Sequence, residues 1–74
     1  MNRIRIFALR DDSARSIIKA IKRLLPEMEA QHSVVEVDIT YEKECNRKVV
    51  EEVEHEIIDE HLLRKTDKFY YDFI

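Results

Sequence analysis

The sequence predicts a small two-layer domain of the α+β or α/β class, ordered β-α-β-α, with a small open sheet and both helices on one face. Three observations predict it. Two segments alternate apolar and polar residues with period two. Each is followed by a segment whose apolar residues recur at helical spacing. The chain contains no glycine. That absence removes the Asn-Gly and Asp-Gly turns of tight hairpins and favours helical crossovers between strands.

"RIRIFAL", residues 3–9, is the first strand. Ile4, Ile6 and Ala8 share one side, and Arg3, Arg5, Phe7 and Leu9 share the other. "RDDS" is a loop in which Asp12 or Ser13 can accept hydrogen bonds from the first N–H groups of a helix. That helix is predicted from about Ser13 to about Leu25. Ala14, Ile17, Ile18, Ile21, Leu24, Leu25 and Met28 make its apolar stripe, and Arg15, Lys19, Lys22 and Arg23 gather opposite. Pro26 lacks an N–H, so a kink or a short extra turn is expected there.

"SVVEVDITY", residues 33–41, alternates again. Val35, Val37, Ile39 and Tyr41 face one way; Val34, Glu36, Asp38 and Thr40 face the other. A parallel pairing of the two strands puts Arg3 and Arg5 on the face of Glu36 and Asp38, where opposite charges attract. A strand-helix-strand unit of this kind is right-handed. A long helix is predicted from about Glu42 to Arg64. Cys45, Val49, Val50, Val53, Ile57 and His61 form its stripe, with Ile58 at the margin. Glu44, Glu51, Glu52 and Asp59 give it an acidic outer face. "KFYYDFI" is rich in β-formers and reads as a third strand or an intermolecular arm. Phe69, Tyr70, Tyr71 and Phe73 need burial, either over Phe7 and Leu9 or against another chain.

At 74 residues the chain reads as one domain, residues 1–74, whose core is small and whose stability is correspondingly marginal. Cys45 is the single cysteine. No intramolecular disulfide can form, which suits a reducing cytoplasm. No apolar run approaches the roughly 20 residues of a membrane span, and no signal peptide is read at the N-terminus. The net charge is −3, with residues 1–32 at +3 and residues 33–74 at −6. An acidic, electrically two-sided chain argues against a dedicated nucleic-acid binder. Without glycine there is no P-loop and no dinucleotide fingerprint.

"HEIIDEH", residues 55–61, raises the question of a metal site. A zincin places its two histidines four residues apart, on one helix face. His55 and His61 are six apart, about 120° from each other around a helix. The segment therefore reads as a solvated face with charge partners at i,i+4. Cys45 reads as a core residue, because Glu42 and Glu44 beside it disfavour a thiolate. His32 and Ser33 are adjacent on an extended segment and point apart, so they make no nucleophile–base pair. Asp11 and Asp12 read as helix-start charges. No metal, cofactor or catalytic residue is expected.

"RIRIFALRDDSARSIIKAIKRLL" with "VVEVDIT" resembles the opening strand-helix-strand of thioredoxin-like proteins. In that alignment "DDSA" stands where C-x-x-C would be, so redox activity does not carry over. The strand-helix-strand-acidic helix order also resembles small regulators of the SOS response. No residue role is carried over from either family.

The function expected is that of a non-enzymatic regulatory or inhibitory protein, acting by protein–protein docking and forming a homodimer or a tight hetero-complex through its aromatic segment. The partner surfaces expected are the aromatic segment (Phe69, Tyr70, Tyr71, Phe73) and the acidic helix face (Glu44, Glu51, Glu52, Asp59). A single-thiol or degenerate thioredoxin-like protein using Cys45 is the alternative. Weak nucleic-acid binding through the basic patch Arg15, Lys19, Lys22 and Arg23 is a further one.

Overall fold

The computed structural model describes residues 2–29 and 34–74, the side chains of Met28 and Glu29 excepted. The elements are β1 (Asn2–Ala8), α1 (Ala14–Glu29), β2 (Val35–Tyr41), α2 (Arg47–Glu54) and β3 (Lys68–Phe73). A π-helical turn, His55–Asp59, extends α2. The sheet order is β1-β2-β3, and both pairings are parallel. The aromatic segment is thus a third strand of the chain's own sheet, placed beside the central β2.

The period-two alternation sorts the sheet into two faces. Ile4, Ala8, Val35, Val37, Ile39 and Tyr41 are buried in one cluster with Ala14, Ile17, Ile18, Ile21 and Leu25 of α1 and Val50 and Val53 of α2. Both helices therefore cover the same face, as two right-handed crossovers moving one way across a sheet require. The register pairs Arg3 with Glu36 and Arg5 with Asp38. Arg3 Nη2 lies 3.2 Å from Glu36 Oε2. Glu36 is 8% exposed on the face away from the helices, so the guanidinium compensates a carboxylate that has lost most of its water.

Ser13 caps α1, its Oγ accepting from Ser16 N–H at 3.1 Å. Asp12 instead closes the preceding turn, accepting from Leu9 N–H at 2.8 Å. The helix continues through Pro26 to Glu29. Proline this near the end forfeits one hydrogen bond of the last turn, which the chain tolerates. Leu24 is not part of the buried stripe: it is 40% exposed, at the margin of the apolar arc. Met28, as a stripe residue, and Gln31, His32 and Ser33 lie outside the described side chains and residues, and with them the predicted strand start.

The second helix is much shorter than the predicted Glu42–Arg64. Asn46 stops it at the front, its Oδ1 accepting from Lys48 N–H at 2.8 Å. Cys45 and Glu44 therefore belong to the turn before the helix. At the other end Glu60 N–H donates to His55 C=O, five residues back. Leu62 N–H then reaches Glu56 C=O, closing the end with a loop one residue wider than the usual helix-terminating motif. His61 sits in the left-handed region, φ 53°. It is exposed, not the edge-of-core residue that a straight helix would make it. The wider π turn and the left-handed residue swing it out, and Leu62 and Leu63 pack against the core instead.

His61 does at this position what glycine does in most helix ends, and the chain has no glycine to offer. A non-glycine residue there carries about 1 kcal/mol of steric cost. His61→Gly is therefore expected to raise stability by about 1 kcal/mol, and His61→Val to lower it. Urea unfolding of the two variants beside the parent checks the sign. Equal midpoints for all three would show that the backbone there is not strained.

Candidate functional site

β3 is an edge strand with alternating faces. Register places Phe69, Tyr71 and Phe73 beside Val37, Ile39 and Tyr41, on the helix side. Lys68, Tyr70 and Asp72 lie beside Glu36, Asp38 and Thr40, on the open side. The rings meet accordingly. Phe73 stacks on Tyr41 with centroids 5.2 Å apart, and Tyr71 meets Tyr41 edge-on at 6.3 Å. Phe69 stacks on Tyr71 at 5.8 Å. The aromatic residues thus do not cover Phe7 and Leu9, which remain about half exposed. Phe7 lies on β1, across the sheet from β3, so β2 stands between them.

Burial of these rings is incomplete. Tyr70 is 50%, Tyr71 47%, Phe73 52% and Ile74 60% exposed. Only Phe69 is partly withdrawn against the core. The cause is the short α2. It leaves a groove of about 460 Å³ between itself and β3, lined by Cys45, Arg47, Val50, Glu54, Tyr71 and Phe73. Beneath the rings lies Tyr41, fully buried. Among the described residues its hydroxyl meets no hydrogen-bond partner. Burial first, then the nearby Glu54, push its pKa up to about 12. The phenol stays neutral and serves as an aromatic wedge under β3.

The basic and acidic patches, separate in the sequence, are brought together. Arg15, Lys19 and Lys22 of α1 and Lys48, Glu51, Glu52, His55 and Glu56 of α2 and its π turn border one groove of about 820 Å³. Arg23 is exposed but does not line it. Glu44, in the turn before α2, and Asp59, at the end of the π turn, are exposed and likewise outside it. The acidic face is therefore not one continuous surface of one helix. The basic α1 bank faces an α2 bank that is mainly acidic, Lys48 excepted, which weakens both patches as long-range attractors.

"HEIIDEH" forms the charge partnership expected of a solvated face. His55 Nδ1 lies 2.9 Å from Asp59 Oδ2, and its Nε2 lies 3.2 Å from Glu60 Oε1. The hydrogen bond to Asp59 is the main cause of a raised imidazole pKa. Among the described residues no group of three or more His, Cys, Asp or Glu side chains could hold a metal ion. Cys45 is half-buried, and its Sγ–H donates to Ala8 C=O at 3.4 Å. Burial above all pushes its thiol pKa up, and Glu42, Asp12 and Glu44 add to this. A thiol so placed is a poor nucleophile at neutral pH.

One residue that sequence reasoning missed organises this edge. Asp67 precedes β3, and its side chain has no exposed surface. Its Oδ1 accepts from Val35 N–H at 3.0 Å and from Arg64 Nη2 at 3.1 Å. Its Oδ2 accepts from Arg64 N–H at 3.1 Å and from Arg64 Nε at 3.2 Å. The carboxylate ties the start of β2 to the turn that launches β3, one residue before the Glu36–Lys68 pair. The "RKTD" spacing is compatible with an aspartate that closes its own turn. Its bond to Val35 spans 32 residues and leaves no local signature.

No protein-family model, curated protein or solved structure matches this chain. Among the described residues no helix is long and apolar enough to cross a membrane.

Proposed function

We propose that this chain is a small non-enzymatic interaction protein, a regulator or inhibitor, that docks a protein partner along the free edge of β3. One observation carries the reading. An edge strand with an unpaired rim carries Tyr70, Tyr71 and Phe73, and Ile74 follows it directly, each about half exposed or more. Edge strands are commonly blunted by proline, bulges or dense charge. β3 has neither proline nor glycine, and only Lys68 and Asp72 are charged. Main-chain hydrogen bonds along such an edge supply affinity, and the alternating side chains supply selection.

The thiol alternative is weakened by the raised pKa of Cys45. The nucleic-acid alternative is weakened by Glu51, Glu52 and Glu56 opposite the basic helix, since acids beside the basic residues oppose phosphate binding. We place the action in a reducing compartment such as the cytoplasm, on the ground of the single cysteine.

Tyr71→Pro tests the docking reading. Ile74 N–H donates to Tyr41 C=O. In a parallel ladder alternate residues bond to one neighbour, so Lys68, Tyr70 and Asp72 turn their main-chain groups toward β2. Phe69, Tyr71 and Phe73 turn theirs outward. Proline at 71 blocks the rim and spares the β2–β3 bonds. Tagged parent chain and Tyr71→Pro are used as baits in native extract, with Lys19→Glu/Lys22→Glu as a third. The expected result is a partner retained by the parent and the double variant, and reduced at least about tenfold with Tyr71→Pro. A partner lost with the double variant and kept by Tyr71→Pro would move the site to the helix groove and sink the reading.

A further inference from the structure

We infer that the free edge of β3 is self-complementary, and that its occupant is the β3 of a second copy, paired antiparallel about a two-fold axis at Tyr70. The inference rests on the docking reading and names the partner. In an antiparallel pair related by an axis normal to the sheet, directly opposed residues lie on the same face. Faces alternate along β3, so only every second register is allowed.

The charges select among these registers. With Tyr70 at the axis, Lys68 of each copy lies opposite Asp72 of the other, on the open face. Two ion pairs form between directly opposed residues, the favourable arrangement across strands. A register centred on Tyr71 sets Lys68 against Ile74 and Asp72 against Tyr70. One centred on Phe69 sets Lys68 against Tyr70. Neither pairs opposite charges within β3.

The main chain and the rings agree with this choice. Phe69 and Tyr71 carry outward-facing N–H and C=O groups, as the Ile74–Tyr41 bond implies. In the Tyr70 register they oppose each other, in the positions where an antiparallel pair exchanges both hydrogen bonds. Two such pairs give four bonds between the copies. On the helix side Phe69 and Tyr71 of one copy meet Tyr71 and Phe69 of the other. The half-exposed rings then face one another over the two grooves beside α2. The result is a six-stranded sheet in which both β3 edges are covered. A two-fold pairing closes and does not propagate.

The area available sets the strength. Each ring offers about 150–250 Å² in all, and about half of Tyr70, Tyr71 and Phe73 is exposed. The three rings thus supply roughly 450–750 Å² over both copies, below the range of stable interfaces, so the dimer is weak, reversible and dependent on concentration.

Two measurements test it. The first is sedimentation equilibrium of Lys68→Asp, of Asp72→Lys and of their equimolar mixture. Each single variant sets like charges opposite and is expected to weaken self-association about tenfold. The mixture restores opposite charges in the heterodimer and is expected to associate as tightly as the parent. The second stands even if a charge variant fails to fold. Tyr70→Cys in a Cys45→Ser background brings its thiols together at the axis, in a non-hydrogen-bonded pair where Cβ atoms are closest. Mild oxidation at micromolar concentration is expected to link it as a dimer, at least tenfold faster than Tyr71→Cys in the same background. A parent monomeric at all concentrations, a mixture no tighter than its components, or faster linking at 71 overturns the second copy as occupant. The docking reading would still stand if Tyr71→Pro loses a different protein from extract.

Discussion

Ile39→Ala is expected to lower stability by about 2–5 kcal/mol. Ile39 is fully buried at the middle of β2. β2 is the central strand, and register places Ile6 on one side of Ile39 and Tyr71 on the other. Truncation removes three carbons and leaves a cavity bounded by both neighbouring strands and the helix layer. A main-chain ladder on each side prevents the site from collapsing. For so small a chain a loss of this size approaches the whole stability, so the variant should be largely unfolded near 37 °C. Ile58→Ala is the matched comparison. Ile58 is 57% exposed, and its loss should shift stability by less than about 0.5 kcal/mol. Urea unfolding followed by far-UV circular dichroism measures both. Similar midpoints for the two would contradict the placement of β2 at the centre.

Asp67→Ala is expected to cost about 2–3 kcal/mol. Four hydrogen bonds end on this carboxylate. Removing it leaves Val35 N–H without its acceptor where β2 begins, and hydrogen bonds to charged groups are worth more than neutral ones. Breaking a buried pair costs more than an exposed one. Arg64, 40% exposed in its side chain, can regain water, which moderates the loss.

The same carboxylate predicts a pH dependence. Burial alone would raise the Asp67 pKa, but the hydrogen bonds from Arg64 and Val35, with the Arg64 charge, outweigh it and hold the pKa below the ordinary value. The unfolded chain therefore takes up this proton first. The stabilising contribution is complete above the ordinary aspartate range, roughly pH 4, and is lost as pH falls through the lower folded value. Asp67→Asn has no such proton to bind. The stability gap between parent and Asp67→Asn should be constant from about pH 5 to 7 and shrink below roughly pH 4. A gap that widens on acidification would reverse the sign and refute the clamp.

The failure of the clamp should also be felt at the edge strand. Asp67 sets where β3 starts against β2, and β3 register sets which residues face outward. Loss of the aspartate is therefore expected to free β3 to fray and, under the proposed pairing of two copies, to weaken that pairing beyond what the stability loss alone explains.

The strands and the first helix were legible in the sequence because each is specified by a short period. "RIRIFAL" and "VEVDITY" sort their side chains by parity alone. "ARSIIKAIKRLL" places Ile17, Ile18, Ile21 and Leu25 on one arc within two to three turns. The β1–β2 pairing could also be read, since Arg3 and Arg5 share a face with Glu36 and Asp38; an antiparallel pair would match the same charges, and it is the helical crossover between the strands that makes the pairing parallel. These inferences need nothing beyond geometry repeated every two or 3.6 residues.

The end of α2 was not legible, because the local sequence permits two endings there. A straight α-helix through His61 and a π turn with a left-handed His61 use the same residues. The packing of Ile57, Leu62 and Leu63 on the core decides between them. The fate of the aromatic segment was open for the same kind of reason. Its alternation permits a strand but cannot say which strand it joins. That is settled by contacts between residues about thirty apart, the Asp67–Val35 bond and the Tyr41–Phe73 stack. The charge asymmetry between the two halves of the chain was correct as a count and misleading as a surface. Folding sets the basic half against the acidic half at Arg3–Glu36 and across the α1–α2 groove. Composition determines how much charge a chain carries; strand parity already indicated the Arg3–Glu36 neighbourhood, but only the packing of α1 beside α2 determines which charges meet across their groove.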